Sequence, residues 1–224
     1  MWMLRFVAAL TAACALSACA PPLQGAFGTL RDALYTPRPT VSTASADILA
    51  RPYFQQRLQS PWGTALLVLG RTQGSQEFWA TSSGQVLVVE HGLIRRTTGL
   101  PQTLEGTRFL GPDPFAAGLH TLPDGSRSRR ELDWAPGYRY GIQVRSRFRR
   151  HGLEAVTLPR NLGSPRLLLR IDEELEASNA RFSVTNRYWV DPDDGFIYKS
   201  RQYLAPHLPV TLTQLRPYRR EPRP

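Results

Sequence analysis

Between Tyr138 and Arg149 the chain changes side-chain character at every residue, in the run YRYGIQVRSRFR. Tyr138, Tyr140, Ile142, Val144, Ser146 and Phe148 fall on one parity, and Arg139, Gly141, Gln143, Arg145, Arg147 and Arg149 on the other. Successive side chains of a strand point to opposite faces, whereas a helix would scatter this set around its girth. The period therefore commits the segment to a β-strand with one apolar face and one arginine face.

Other segments carry the same signature: TALLVLGR, SQEFWATS, QVLVVEH, LIRRTTGL, SRRELDW, RLLLRIDEELE, RFSVTNRYWV, GFIYKSRQYL and VTLTQLRPY. Ser83-Gly84, His91-Gly92 and Asp193-Asp194-Gly195 are turn signals between them, and His151-Gly152 is expected to turn the chain into LEAVTLPR. The 19 prolines and 17 glycines leave little room for long helices. Residues 100–126 read as loop, punctuated by Pro101, Pro112, Pro114 and Pro123. Short helices are expected at 27–34 and 45–49. About ten strands follow, so the predicted fold is mainly β, with antiparallel sheets in a sandwich or open barrel and one or two short N-terminal helices.

The first residues supply an address. Arg5 precedes an apolar run, Phe6 to Leu16, that is too short to span a bilayer, which takes about 20 residues. A basic start, a short apolar centre and small residues before a cut describe a signal peptide. The run ends in Leu16-Ser17-Ala18-Cys19, which resembles the bacterial lipobox. That resemblance implies cleavage before Cys19 and lipidation of its sulfur. The expected organisation is a lipoprotein signal at 1–18, a lipidated tether at 19–26 and a single β-rich periplasmic domain at 27–224. Of the two cysteines, Cys14 leaves with the signal and Cys19 is acylated, so no disulfide is expected. Several acyl chains on one residue hold a protein to a membrane where one chain would not. Ala20 in place of an aspartate points to the outer membrane.

The formal charge is +10, from 28 basic against 18 acidic residues, and Lys199 is the sole lysine. Arginine's planar fork suits carboxylates and phosphates. An exported chain meets anionic lipid or acidic polysaccharide rather than nucleic acid. Arg145, Arg147 and Arg149 are the candidate contacts to an anionic glycan. Trp62, Trp79, Trp134 and Trp189 offer flat faces to sugar rings, although strand spacing suits most of them to a core.

Signals for catalysis are weak. His91, His120, His151 and His207 are scattered, without partners at helical or strand spacing. Asp191-Pro192-Asp193-Asp194-Gly195 lacks the later glutamate of an EF-hand and reads as a turn. No nucleophile elbow, P-loop or zinc-protease motif occurs. No cofactor or metal is expected. Glu173, Glu174 and Asp133 offer the carboxylates a glycosidase needs, at about 5–10 Å from each other across a cleft. A lipid or lipoprotein carrier would need an apolar cavity instead.

Several stretches taken together resemble the YjbF/GfcB family of bacterial lipoproteins, associated with exopolysaccharide and group 4 capsule production. They are ADILARPYFQQRL, ALLVLGR, EFWATSSGQVLVVEHGLIRRTTGL, RRELDWAPGYRYGIQVRSRF and NRYWVDPDDGFIYKSRQYLAPHLPVTLTQLRPY, spanning residues 46–218. The resemblance implies a β-rich domain on the periplasmic side of the outer membrane. It also implies partners among polysaccharide-export proteins, including a large outer-membrane β-barrel, and a non-enzymatic accessory role. The alternatives at this stage are a glycan-modifying periplasmic enzyme and a lipid or lipoprotein carrier.

Overall fold

The computed structural model describes residues 45–219, except 136, 138, 178, 179 and 181. The expected signal, tether, Cys19 and 27–34 helix lie outside the described residues. The chain enters through α1 (Ser45–Leu49) and then forms twelve strands. These are β1 (Gln55–Ser60), β2 (Gly63–Gln73), β3 (Gln76–Ala80), β4 (Val86–Glu90), β5 (Leu93–Thr98), β6 (Thr103–Phe109), β7 (Arg127–Ala135), β8 (Arg139–Val156), β9 (Arg166–Ala177), β10 (Phe182–Val190), β11 (Ile197–Ala205) and β12 (Leu208–Arg216). A short α2 (Pro114–Ala117) sits between β6 and β7.

All twelve strands belong to one antiparallel sheet, in the order β5-β4-β3-β2-β1-β12-β11-β10-β9-β8-β7-β6. It is two meanders zipped together where the first strand pairs with the last, Gln55 lying opposite Arg216. The sheet curls until its edge strands, β5 and β6, come side by side, and the Leu104 N–H donates to Thr97 Oγ1 at 2.9 Å. The result is a nearly closed barrel.

Alternation decides what fills it. Ile142, Val144, Ser146 and Phe148 of β8 are buried while Gly141, Gln143, Arg145 and Arg147 are exposed. One apolar cluster draws on every strand, from Leu58 and Trp79 through Leu104 and Val144 to Val210. Burying each large apolar side chain contributes about 1.5–3 kcal/mol, so this shared interior is the main source of stability.

One end of the barrel is capped. Asp113 begins α2 by accepting from the N–H groups of Phe115 (2.9 Å) and Ala116 (3.4 Å), with Pro114 next in the first turn. This capping drives Phe115 inward, edge-on to Tyr188 (5.2 Å) and Phe148 (6.1 Å). Outside the sheet, a smaller cluster of Val156, Leu158, Leu168 and Tyr198 is covered by the 157–165 loop. Asn161 of that loop reaches the Leu215 carbonyl at 2.9 Å.

Two local expectations are corrected and one unassigned segment is filled in. The 100–126 segment is not all loop: it contains β6, and its next part is the cap. His151-Gly152 is not a turn; β8 runs through it, and the ladder with β9 skips register between Arg150 and Leu153. Such a bulge accepts an extra residue without ending the strand. The polar segment QQRLQS, unassigned from sequence, is β1. The turn at Asp193-Asp194-Gly195 is as expected, closed by bonds from Asp191 N–H to the Phe196 carbonyl (2.8 Å) and from Gly195 N–H to the Asp191 carbonyl (3.0 Å).

Candidate functional site

The capped end of the barrel holds a cavity of about 710 Å³. Its floor carries Gln56 of β1 and Gln214 of β12, which stand directly opposite each other in the ladder. Both amide oxygens, Gln56 Oε1 and Gln214 Oε1, are buried without a hydrogen-bond partner, and Gln56 is only 1% exposed. Ser75, Glu77, Phe196 and Tyr218 also line it.

His120 closes the top, where the cap meets the β10–β11 turn. Its imidazole fills the space beside Gly118 and Gly195, whose φ values are 89° and 76°. A Cβ at Gly195 would collide with the ring. His120 Nδ1 is a further buried atom without a partner. The lining includes the charged residues Glu77, Asp194, Lys199 and Arg219. Arg219 pairs with Asp194, and Glu77 accepts from Trp79 Nε1 at 2.9 Å. Arg219 also stacks on Phe196, 4.4 Å from the ring centre.

Deeper in the barrel lies a buried polar network. Glu173 is fully enclosed and accepts from Arg130 (2.8 and 3.3 Å), Ser146 (2.7 Å), Asn186 (3.0 Å) and Tyr188 (3.1 Å). Burial and the facing Glu173 carboxylate hold the Tyr188 hydroxyl well above the usual tyrosine range, so it stays a neutral donor. Glu173 and Glu174 occupy opposite faces of β9. Asp133 accepts from the Gly141 N–H at 2.7 Å, beside a bulge in β7. The three carboxylates weighed from sequence therefore do not face a common cleft.

The arginine face predicted on β8 is outside the barrel and wider than expected. Arg145 lies opposite Arg129 of β7, and Arg147 opposite Arg127. On the other side, Glu176 and Glu174 of β9 face Arg145 and Arg147. Arg149 makes only long ion pairs, to Glu174 (3.7 Å) and Asp124 (3.8 Å). Arg129, Gln143, Arg145 and Glu176 border a depression of about 300 Å³. Like charges directly opposed on two strands destabilise them, and Glu174 and Glu176 on the far side of β8 offset part of that repulsion.

The tryptophans separate by environment. Trp79 and Trp134 are buried in the barrel. Trp62 is 45% exposed in the β1–β2 turn. Trp189 lies on the outer face under Lys199, 4.8 Å away, with Nε1 bonded to Glu154 at 2.9 Å. Among the described residues no group of three His, Cys, Asp or Glu side chains is placed to hold a metal ion.

Residues 27–215 match the family described as group 4 capsule polysaccharide lipoprotein GfcB, YjbF. The chain belongs to the YjbF/GfcB family. It is 28% identical to the lipoprotein GfcB of Escherichia coli strain K12 over 206 residues, which is 90% of this chain and 94% of that one. The crystal structure of the lipoprotein YmcC from Escherichia coli K12 has a similar fold. Its TM-score is 0.69 at 28% identity, covering 85% of this chain and 95% of that one. The YjbF/GfcB match spans the barrel from α1 almost to the end of β12, so the buried network and the arginine face lie within the family's shared region, while Tyr218 and Arg219 of the cavity lie just beyond it.

Sequence reasoning did not single out Gln56 or Gln214, and it named His120 only as one of four scattered histidines and Gly195 only as a turn glycine. Parity gave a signal for Gln56, two residues from Leu58 in QQRLQS, and for Gln214, two residues from Leu212. Polar residues on an inward parity are the mark of a lined cavity. His120 and Gly195 carry no such mark, because their meeting depends on how the cap docks.

Proposed function

We propose that this chain is a non-enzymatic, lipid-anchored accessory of the outer membrane that faces the periplasm and contacts acidic polysaccharide during its export or assembly. Membership of a family named for group 4 capsule polysaccharide supports the process. The observation that carries the glycan contact is the opposition of Arg127 to Arg147 and of Arg129 to Arg145 on one exposed face. Guanidinium groups bind carboxylates through paired charge-assisted hydrogen bonds, and a polymer with regularly spaced uronic acids presents such carboxylates in series. Arg149 extends the strip along β8.

Pulldown of purified protein on an immobilised uronic-acid polysaccharide tests this contact. The variant with Arg145, Arg147 and Arg149 all changed to Ser is expected to bind at least tenfold more weakly at low salt. High salt is expected to abolish the difference, because exposed charges are screened beyond about 10 Å at 0.1 M. Equal retention of the variant and the parent at low salt would reject the contact.

A further inference from the structure

We infer that the barrel lies against an anionic lipid leaflet through the outer face built by α1, β1, β12 and β11. The inference rests on the lipid-anchored reading proposed above and adds which face meets the lipid.

Charge is unevenly spread over the sheet. The neighbouring strands β2, β1, β12, β11 and β10 contain no Asp or Glu, yet carry Arg57, Arg71, Arg187, Lys199, Arg201 and Arg216. Arg57 of β1 and Lys199 of β11 both stand opposite Thr213 of the intervening β12, and Arg201 stands opposite Thr211. Two strand spacings put the Arg57 and Lys199 backbones about 10 Å apart on one face. The Lys199 ammonium lies over the Trp189 ring, and the Arg201 guanidinium over Tyr203 at 5.7 Å. Arg187 is taken by Asp172, but Arg201 bonds to the Tyr203 hydroxyl rather than to an acid. Burial holds Arg57 and Lys199 below their usual ranges, and the Arg57 charge pushes Lys199 lower still. Among the described residues no carboxylate offsets these effects, so an anionic surface is what the face lacks.

Apolar side chains stand beside these cations. Gln55, on the same parity of β1 as Arg57, donates to the Ile48 carbonyl of α1 at 3.2 Å, and Arg216 donates to the Arg51 carbonyl. Leu49, Arg51 and Phe54, around the turn from α1 into β1, are all exposed. Exposed apolar groups next to cations suit a lipid interface, where phosphates meet the charges and the apolar groups enter the boundary beneath. A hydrated acidic polymer would meet the charges but leave Leu49 and Phe54 in water. β9, with Asp172, Glu174 and Glu176 on its outer parity, separates this face from the arginines of β7 and β8. Cys19 precedes Ser45 by 26 residues, a span of at most about 90 Å. An anchor there keeps the leaflet within reach without choosing the face that meets it.

Lys199, the sole lysine, is the probe. The native protein is placed on vesicles of phosphatidylcholine alone or of equal parts phosphatidylcholine and phosphatidylglycerol. Acetylation of Lys199 is then followed by peptide mass spectrometry. Labelling is expected to be about fivefold or more slower on the phosphatidylglycerol vesicles at low salt, and equal on both at high salt. L49S/F54S and R57S/R201S are each expected to cut that difference to about twofold or less. The Arg145, Arg147 and Arg149 variant is expected to keep it. If R57S/R201S melts well below the parent, L49S/F54S, whose side chains are exposed, decides alone.

Equal labelling of the parent on the two vesicle types at low salt would overturn the inference. So would slowing that survives in L49S/F54S, or protection by a soluble uronic-acid polymer that matches the vesicles, which would give the face to a polysaccharide. Flotation with pure phosphatidylcholine vesicles reads the anchor separately. Protein that fails to float there, yet is protected by phosphatidylglycerol vesicles, would uphold this face and reject the anchor.

Discussion

Arg130 and Glu173 form a doubly hydrogen-bonded ion pair inside the barrel, with side chains 3% and 0% exposed. They come from β7 and β9, on either side of β8, and Ser146 of β8 bonds to the same carboxylate between them. The pair is therefore tied across three strands. A buried ion pair does not by itself add much stability over apolar packing, but removing one partner leaves the other charged and enclosed.

Changing Arg130 to Met should cost about 3–5 kcal/mol of unfolding free energy, the range for a buried charge stripped of its partner. The double variant R130M/E173L should be more stable than R130M alone, because no charge is then left inside. Urea denaturation followed by tryptophan fluorescence reads both. If the double variant falls to the sum of the two single losses, the pair is not coupled as described.

Acid sensitivity should trace in part to Asp172. Burial pushes its carboxyl upward, yet hydrogen bonds from Arg170 and Arg187 outweigh burial and hold it below the usual carboxylate range. His151 Nε2 lies 3.4 Å away on the same carboxylate. A carboxylate whose pKa is lower when folded contributes stability above its unfolded value, about 3.9, and loses it as pH falls through the folded value. Melting temperature should therefore drop as pH is taken from 5 toward about 3. Asp172→Asn should melt lower at neutral pH and show a shallower acid drop. A D172N curve parallel to the parent's across that range would contradict this account.

The fit of His120 against Gly195 gives a steric prediction. Gly195→Ala meets both a left-handed backbone, at φ 76°, and the imidazole. The backbone part alone costs about 1–3 kcal/mol. Adding His120→Ala should recover the collision but not the backbone strain, so H120A/G195A should lie between the parent and G195A. Differential scanning calorimetry orders the three; a double variant no better than G195A would show that the ring is not what the Cβ meets.

For the proposed anchor, Cys19→Ala should leave a folded barrel that no longer fractionates with membranes, because the proposal assigns the attachment to acyl chains on that sulfur. Fractionation followed by immunoblotting is the check. Undiminished recovery of the variant in the outer membrane would remove Cys19 from the account.

Much of the barrel was legible in side-chain period. Ile142, Val144, Ser146 and Phe148 point inward as the alternation required. The run Ser128, Arg130, Leu132, Trp134 shows why a charge can hide in such a pattern. Arg130 shares the parity of two core residues, yet in sequence it looks like part of a solvent-facing basic cluster. Its partner Glu173 sits between Ile171 and Leu175 in the same disguise. β1 was illegible because Gln55 and Gln56 are both buried, so its polarity does not alternate. β6 was masked by flanking prolines, Pro101 before it and Pro112 and Pro114 after it, that lie outside the strand. The cavity lay beyond local pattern altogether, since residues near positions 56, 120, 195 and 214 meet only after the sheet has curled.

The pairing of β1 with β12 has a kinetic side. A strand placed near the amino end finds its neighbour only when the carboxyl-terminal strand arrives, so closure of the cylinder waits for nearly the entire polypeptide. Contacts this remote in sequence slow folding. Until then the early meander is left with an unsatisfied edge, open to pairing with other chains. A product cut short before Leu208 should be a target for chaperones and proteases rather than a smaller working domain.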